Sequence, residues 1–274
     1  MEVVKIGGQQ GNTSKNGGDF EFNLIKEELK DIDCNDFMVI VNGYGDESEI
    51  LASKKKKIFI ITDSFAFKGN KNSIEQCDII MHQSKKDLSF INKNKEQYFS
   101  YVPFLFYLED RAINQSNNII FGGANTGRED KFQEYLFDEK ELLRPNITAF
   151  VKKYCLNTGK VLYDDRIDYE SFCQIMKYFK YTICFSREEY DKLQWVTPRF
   201  IEAISRFVFP FTDNNYAVFG GLQAYQYTAS SYDEMMMKIE CIDESMRLSE
   251  LSIMQKIAAS YKERFKSLII DIIS

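Results

Sequence analysis

The sequence predicts an open α/β architecture built twice along the chain. Short apolar runs alternate with segments whose apolar residues recur at helical spacing. A polar break, Arg111 to Asn118, interrupts the alternation and reads as an interdomain linker, after which the pattern restarts. Several apolar runs give way to glycines or small polar residues, the pattern expected where buried parallel strands end at a ligand-binding edge.

In the first half, Val3–Ile6 reads as a strand, followed by a polar loop holding Gly7, Gly8, Gly11, Gly17 and Gly18. Asp19 then leads into an amphipathic helix with Phe20, Leu24, Ile25 and Leu29 on one face. Phe37–Val41 is a second strand, ending at Asn42-Gly43, and Ile50 to Ser53 suggests a short helix. Ile58–Ile61 is a third strand with Thr62-Asp63 at its carboxyl end. Cys77–Met81 and Tyr98–Val102 are short and apolar, as buried parallel strands are.

After the break, Ile119–Phe121 is a strand, Glu129–Phe137 a helix, Ile147–Val151 a strand and Tyr169–Phe179 a helix. Tyr181–Phe185 and Phe207–Phe211 are strands, with a helix Pro198–Ser205 between them. From Met246 the tail is helical, with Leu248, Leu251, Met254, Ile257 and Ala258 at helical spacing.

Composition narrows the class. With 274 residues, 44% hydrophobic and 15% aromatic, the chain can bury a substantial core. No apolar run approaches the roughly 20 residues that span a bilayer. The first residues lack the basic-then-apolar order of a signal peptide, so a cytoplasmic protein without a membrane partner is expected. Cys34, Cys77, Cys155, Cys173, Cys184 and Cys241 form no CxxC pair, which argues against zinc and disulfide frameworks. A net charge of −6 argues against a surface covered in nucleic-acid contacts, although Lys54–Lys57, Lys85, Lys86, Lys93 and Lys95 could supply a local patch. Lys54–Lys57 reads first as a solvated helix end, and His82, the sole histidine, as a structural residue at a strand end.

Asn117 to Lys131 carries the strongest chemical signal. A strand stops at Gly122-Gly123, a small polar turn follows, and Arg128 and Lys131 open an amphipathic segment. Glycines let a ligand approach the backbone, a helix start attracts an anion, and an arginine fork suits a diphosphate. The glycine spacing is neither the dinucleotide fingerprint nor the P-loop. The plain alternative is an ordinary strand–turn–helix connection with a solvated arginine.

Trp195 to Ala203 is the second signal. Thr197 can cap a helix that starts at Pro198, and Arg199 and Glu202 then share one face. An arginine can meet phosphate there while a glutamate accepts from two ribose hydroxyls; the alternative is an i,i+3 ion pair on a solvated helix.

Together these segments resemble a known family. Ile119-Ile120-Phe121-Gly122-Gly123, Gly127-Arg128-Glu129, Lys131 and Tyr135-Leu136-Phe137-Asp138 look like the nucleotide-sugar motif of the T-even bacteriophage DNA β-glucosyltransferases. Phe59-Ile60-Ile61-Thr62-Asp63 and Tyr101-Val102-Pro103 resemble strand ends of that family's acceptor domain, and Thr197-Pro198-Arg199-Phe200-Ile201-Glu202-Ala203 its ribose-binding helix. The resemblance implies the GT-B fold: two Rossmann-like domains facing across a cleft, the C-terminal helix packing back toward the N-terminal domain. The acceptor domain would take residues 1–110 with about 262–274, and the nucleotide-sugar domain 111–261.

It also implies an inverting transfer of a sugar, glucose by expectation, from a UDP-sugar to 5-hydroxymethylpyrimidine bases in duplex DNA. Asp63 would be the general base and Asp19 a second acidic residue of the active site. Arg128 and Arg199 would bind the diphosphate and Glu202 the ribose, with Gly8, Gly122, Gly123, Asn125, Thr126, Lys131 and Ile167 completing the nucleotide-sugar site. No obligatory metal is implied, with room for a stimulatory divalent cation.

The chain departs from the family in being shorter and in lacking a second arginine between Gly123 and Arg128, which leaves Lys131, Asn125 and Thr126 to share the diphosphate. Asp164-Asp165-Arg166-Ile167-Asp168 resembles the acidic metal motif of the other main glycosyltransferase fold, but its place suits a solvated loop or helix cap. Tyr44, Phe65 and Phe67 could stack on a flipped base or simply pack in a core. Two other readings stay open: a GT-B enzyme acting on a glycan, small molecule or protein, and a non-catalytic nucleotide-sugar-binding protein.

Overall fold

The structure, a computed structural model, describes residues 1–5, 17–41, 52–62, 74–89, 91–124, 127–154, 161–218, 222 and 227–274. Its internal contacts divide the chain into two units. The first comprises Met1–Leu105, Leu193–Val196 and Ala259–Ser274, the second Phe106–Lys192 and Thr197–Ala258.

The first unit is built on a five-stranded parallel sheet of β1 (Glu2–Lys5), β2 (Phe37–Val41), β3 (Lys56–Ile61), β4 (Ile79–His82) and β5 (Glu96–Phe99), paired in chain order. Every residue of β2 and all but the first of β3 are buried, which explains why these runs read as continuously apolar rather than alternating. Helix α1 (Gly17–Leu29) lays Ile25 and Leu29 on Val39, Val41, Ile58, Ile60 and Met81. Phe265 and Ile269 of the C-terminal helix join that same core. Tyr261 packs on Phe104 with centroids 4.9 Å apart, and Lys262 pairs with Glu28 at 2.6 Å.

Leu193–Val196 belongs to this unit although it precedes the Thr197 motif. Ser84 and Trp195 form an antiparallel bridge, and Val196 N donates to Gln83 O at 2.8 Å. Trp195 is buried there, so this short segment prolongs the pairing beyond the end of β4.

The second unit holds β6 (Ser116–Ala124), α2 (Glu129–Tyr135), β7 (Ile147–Tyr154), β8 (Val161–Asp164), α3 (Tyr169–Met176), β9 (Phe179–Cys184), α4 (Glu188–Leu193, all but its last residue), α5 (Arg199–Ser205), β10 (Phe209–Thr212), α6 (Tyr232–Glu240) and the first half of α7 (Glu244–Ile273). The sheet order is β10-β9-β6-β7-β8, parallel except that β8 runs antiparallel to β7. The chain leaves β6 toward β7 and leaves β9 toward β10, so the connections diverge between β6 and β9. Open α/β sheets bind ligands at such a point, beyond the strands' carboxyl ends.

Several expectations are corrected. Ser116–Asn118 is no linker but the start of β6, because Ser116 N bonds Tyr178 O at 2.7 Å and a polar run can still carry a ladder. The preceding Gln115 is also anchored, accepting from the fully buried Arg247 at 2.9 Å. Helix α1 begins at Gly17, which puts Asp19 inside its first turn rather than ahead of it. β4 starts at Ile79 rather than Cys77, and Val102 falls in a 3₁₀ turn, Val102–Phe104, not in β5. Ala52 and Ser53 are not helical, while Ile50 and Leu51 lie outside the described residues. β8, α4 and α6 were not anticipated, since each is short and weakly patterned. Among the described residues, no helix is long and apolar enough to cross a membrane.

Candidate functional site

The site forms where β6 and β9 end side by side. The last residues of β6 are Gly122, Gly123 and Ala124. A Cβ on Gly122 would stand 2.6 Å from the ring of Phe172 on α3. Gly123 has φ +148°, and a Cβ there would stand 2.6 Å from Nη2 of Arg128. The glycine pair therefore makes room for side chains of this chain. The space at Gly122 is taken by a core aromatic, and the space at Gly123 by the arginine of the motif.

Arg128 is half-buried and held by backbone carbonyls rather than left to solvent. Its Nε donates to Ala124 O at 2.6 Å and its Nη1 to Phe185 O at 3.3 Å, the carbonyls at the ends of the two strands. Its guanidinium lies 5.6 Å from the Phe121 ring and 5.8 Å from Phe185, two rings that stack at 4.5 Å. Burial first, and then the positive charges of Arg199 and Arg187, push its pKa down to about 9. A cation held that way is short of negative partners.

Arg199 opens α5 and donates through Nη1 to the Gly122 carbonyl. Its guanidinium is 5.7 Å from the same Phe121 ring, and 5.7 Å from Phe172. Two guanidinium groups thus gather at the carboxyl end of β6. One turn further along α5, Glu202 is 6% exposed, and its Oε1 accepts from the Tyr169 hydroxyl at 2.6 Å. Arg199 and Glu202 each turn to other partners, so the ion-pair alternative does not describe them.

Other expectations change. Thr197 does not cap α5: Pro198 is the cap residue, and the Thr197 hydroxyl meets the Tyr216 hydroxyl at 2.6 Å. Lys131 is engaged by residues of its own unit. Its ammonium donates to Ser186 O at 3.1 Å and Asp191 Oδ2 at 2.5 Å, and lies 2.6 Å from Asp213 Oδ2. Ser186 and Asp191 each accept a hydrogen from it, and the Asp213 carboxylate is a close charge partner. Helix α2 is only seven residues long, so arginine side chains rather than a helix end supply the positive charge.

No family model and no curated protein matches the sequence. Solved structures do. One described as T4 phage BGT in complex with UDP and Mn²⁺ superposes with a TM-score of 0.68 at 15% identity, covering 100% of both chains. A second, the DNA modifying enzyme beta-glucosyltransferase with and without uridine diphosphoglucose, gives 0.67 at 15%, again over 100% of both. A third, T4 phage BGT in complex with its UDP-glucose substrate, gives 0.65 at 13% over 100% of both. The chain has the T4 β-glucosyltransferase fold.

Within that fold the structure brings together only part of the expected T4 β-glucosyltransferase-like site. Gly122, Gly123, Arg128, Arg199 and Glu202 converge at the β6–β9 switch point. Ile167 packs at the edge of a cluster of Ile120, Phe172, Met176, Ala203 and Val208 beneath it. Asp168 caps α3 through Ser171 N at 3.0 Å, while Asp164 pairs with Lys152 at 3.1 Å and Arg166 at 2.9 Å. Gly8, Asp63, Asn125 and Thr126 lie outside the described residues, as do Tyr44, Phe65 and Phe67. Sequence reasoning did not single out Tyr169, which bonds Glu202, or Arg187, beside Gly127. Tyr169 carried no signal; Arg187 did, as the first charged residue after β9.

Proposed function

We propose that the protein is an inverting glycosyltransferase, moving glucose from UDP-glucose to the hydroxyl of 5-hydroxymethylpyrimidine bases in duplex DNA. One observation carries the donor half: Arg128 and Arg199 converge on the end of β6, one turn of α5 from the buried Glu202. Guanidinium groups gathered in a half-buried place call for an anion. A buried carboxylate beside them suits the two hydroxyls of a ribose. UDP presents both features a few ångströms apart. The whole-chain likeness to structures holding UDP or UDP-glucose supports the same donor.

In this reading Arg128 and Arg199 hold the diphosphate and Glu202 the ribose. The acceptor oxygen attacks the anomeric carbon from the face opposite UDP, the anomeric carbon–oxygen bond to UDP breaks, and its electron pair goes to the diphosphate. The two guanidinium groups stabilise that developing charge. Asp63, next after Thr62 at the carboxyl end of β3, takes the proton of the attacking hydroxyl. Asp19 of α1 is the second acidic group, and the arginines supply the positive charge without an obligatory metal.

The test is release of UDP from UDP-glucose in the presence of duplex DNA carrying 5-hydroxymethylcytosine or 5-hydroxymethyluracil, with unmodified DNA as control. Asp63→Ala should bind UDP as tightly as the parent and turn over nothing. Turnover only with a glycan, small molecule or protein would keep the donor and replace the acceptor. UDP binding without turnover on any acceptor would make the protein a nucleotide-sugar-binding module.

A further inference from the structure

We propose that Arg187 is a third diphosphate-binding residue, delivered from β9 rather than from the glycine turn. The proposal rests on the UDP-sugar reading above. A ligand at the switch point touches the loops that leave both neighbouring strands. β6 supplies the turn that carries Arg128. β9 ends at Cys184, and Arg187 is the first charged residue beyond it.

The loop holding Arg187 is fixed on both sides. Before it, the buried Ser186 accepts from Lys131 Nζ at 3.1 Å through its carbonyl and donates from Oγ to Asp191 Oδ1 at 2.8 Å. After it, Glu188 N donates to Gly127 O at 2.8 Å, which ties the loop to the glycine turn itself. Lys131 therefore contributes to the site by anchoring this loop.

The Arg187 side chain lies along Gly127. A Cβ built on that glycine, which has φ +71°, would sit 3.5 Å from Arg187 Cβ, 3.8 Å from Cγ and 3.9 Å from Cδ. Beyond that stem the guanidinium stands 5.9 Å from the Tyr190 ring. Its charge reaches Arg128, since it is one of the two cations that oppose the charge there. Three arginines from three separate segments thus come to the turn that leaves β6: Arg128 bonded to Ala124 O, Arg199 bonded to Gly122 O, and Arg187 with its stem against Gly127.

Like charges gathered in this way raise the energy of the empty site and favour a polyanion over a singly charged ligand. A diphosphate has enough oxygen acceptors for three planar forks, which a single carboxylate does not.

The experiment is calorimetric titration of the full chain with UDP, uridine and inorganic pyrophosphate, for the parent, Arg187→Gln and Arg187→Lys. Arg187→Gln should weaken UDP and pyrophosphate about tenfold or more, the value of a lost charge-assisted contact, and leave uridine unchanged. Arg187→Lys should recover part of the loss. Parent-like UDP affinity in a folded Arg187→Gln protein would overturn the proposal while leaving the UDP site in place. A parent that binds neither UDP nor pyrophosphate would overturn the UDP-sugar reading and this proposal together.

Discussion

The Tyr169 hydroxyl donates to Glu202 Oε1 over 2.6 Å, from one helix of the second unit to another. Burial, and then the negative charge of Glu202, raise the tyrosine pKa far above its ordinary value, so it stays a donor at any working pH. The bond fixes one carboxylate oxygen and with it the plane of the carboxyl group. In the proposed site Glu202 would thus meet a ribose already oriented.

Tyr169→Phe should therefore weaken UDP while leaving pyrophosphate unaffected. A loss of about 1 kcal/mol, roughly fivefold in affinity, is expected for one neutral donor to a charged acceptor. The same variant should discriminate less between UDP and its 2′-deoxy analogue. Titration with the three ligands checks both, and an equal loss for pyrophosphate would show that the tyrosine supports the fold rather than the carboxylate.

The two glycines of the motif should fail differently. Gly122→Ala drives a methyl group into Phe172 of the core, at 2.6 Å from its ring, and should cost about 1–3 kcal/mol of stability. Gly123→Ala meets Arg128 Nη2, the end of a flexible side chain, at 2.6 Å in a backbone conformation that disfavours side chains. It should displace the guanidinium and cut UDP affinity out of proportion to its stability cost. Denaturant melts and UDP titrations on both variants separate the outcomes.

His82 gives stability a sign on the acid side of neutrality. Burial lowers its pKa below 6.5, outweighing the Gln97 hydrogen bond at 3.2 Å and the charge of Asp87. The unfolded chain then binds a proton near pH 6.5 that the folded chain resists, so this contribution is present above 6.5 and is lost as pH falls from there toward the folded value. His82 is the only histidine. His82→Gln should accordingly narrow the stability gap to the parent on going from about pH 7.5 to 5.5. Parallel stability curves over that range would contradict the assignment.

Gln83 is fully buried at the end of β4, and neither atom of its side-chain amide has a hydrogen-bond partner among the described residues. Such a group costs about 1–3 kcal/mol in desolvation. Gln83→Met, of similar shape, should raise stability by about 1 kcal/mol in chemical denaturation. A loss of stability instead would show that the amide is hydrogen-bonded in solution.

Local pattern made some of this legible. Phe37–Val41 reads as a strand because all five residues are apolar and buried on both faces, and the structure has that strand at those bounds. Gly122-Gly123 and Arg199–Glu202 stood out because residue type and short spacing are local properties, and both fall at the switch point of the second sheet. Thr197 was misread as a cap, and the partners of Lys131 went unseen, for the complementary reason. Each has a sensible local role, and each is claimed by a distant partner, Tyr216 for one and Asp191 with Asp213 for the other.

What the sequence by itself determined is the class of fold, the order of most elements and the two segments that hold the arginines. These depend on periodicity and on residues within a few positions of one another. Only the tertiary structure decided that β6 lies against β9, that the Arg187 stem lies along Gly127, and that Tyr169 bonds Glu202. Strand order and long-range pairing are set by how whole elements pack, and residues 57 positions apart, as Arg128 and Phe185 are, carry no local mark of the neighbour that packing assigns them.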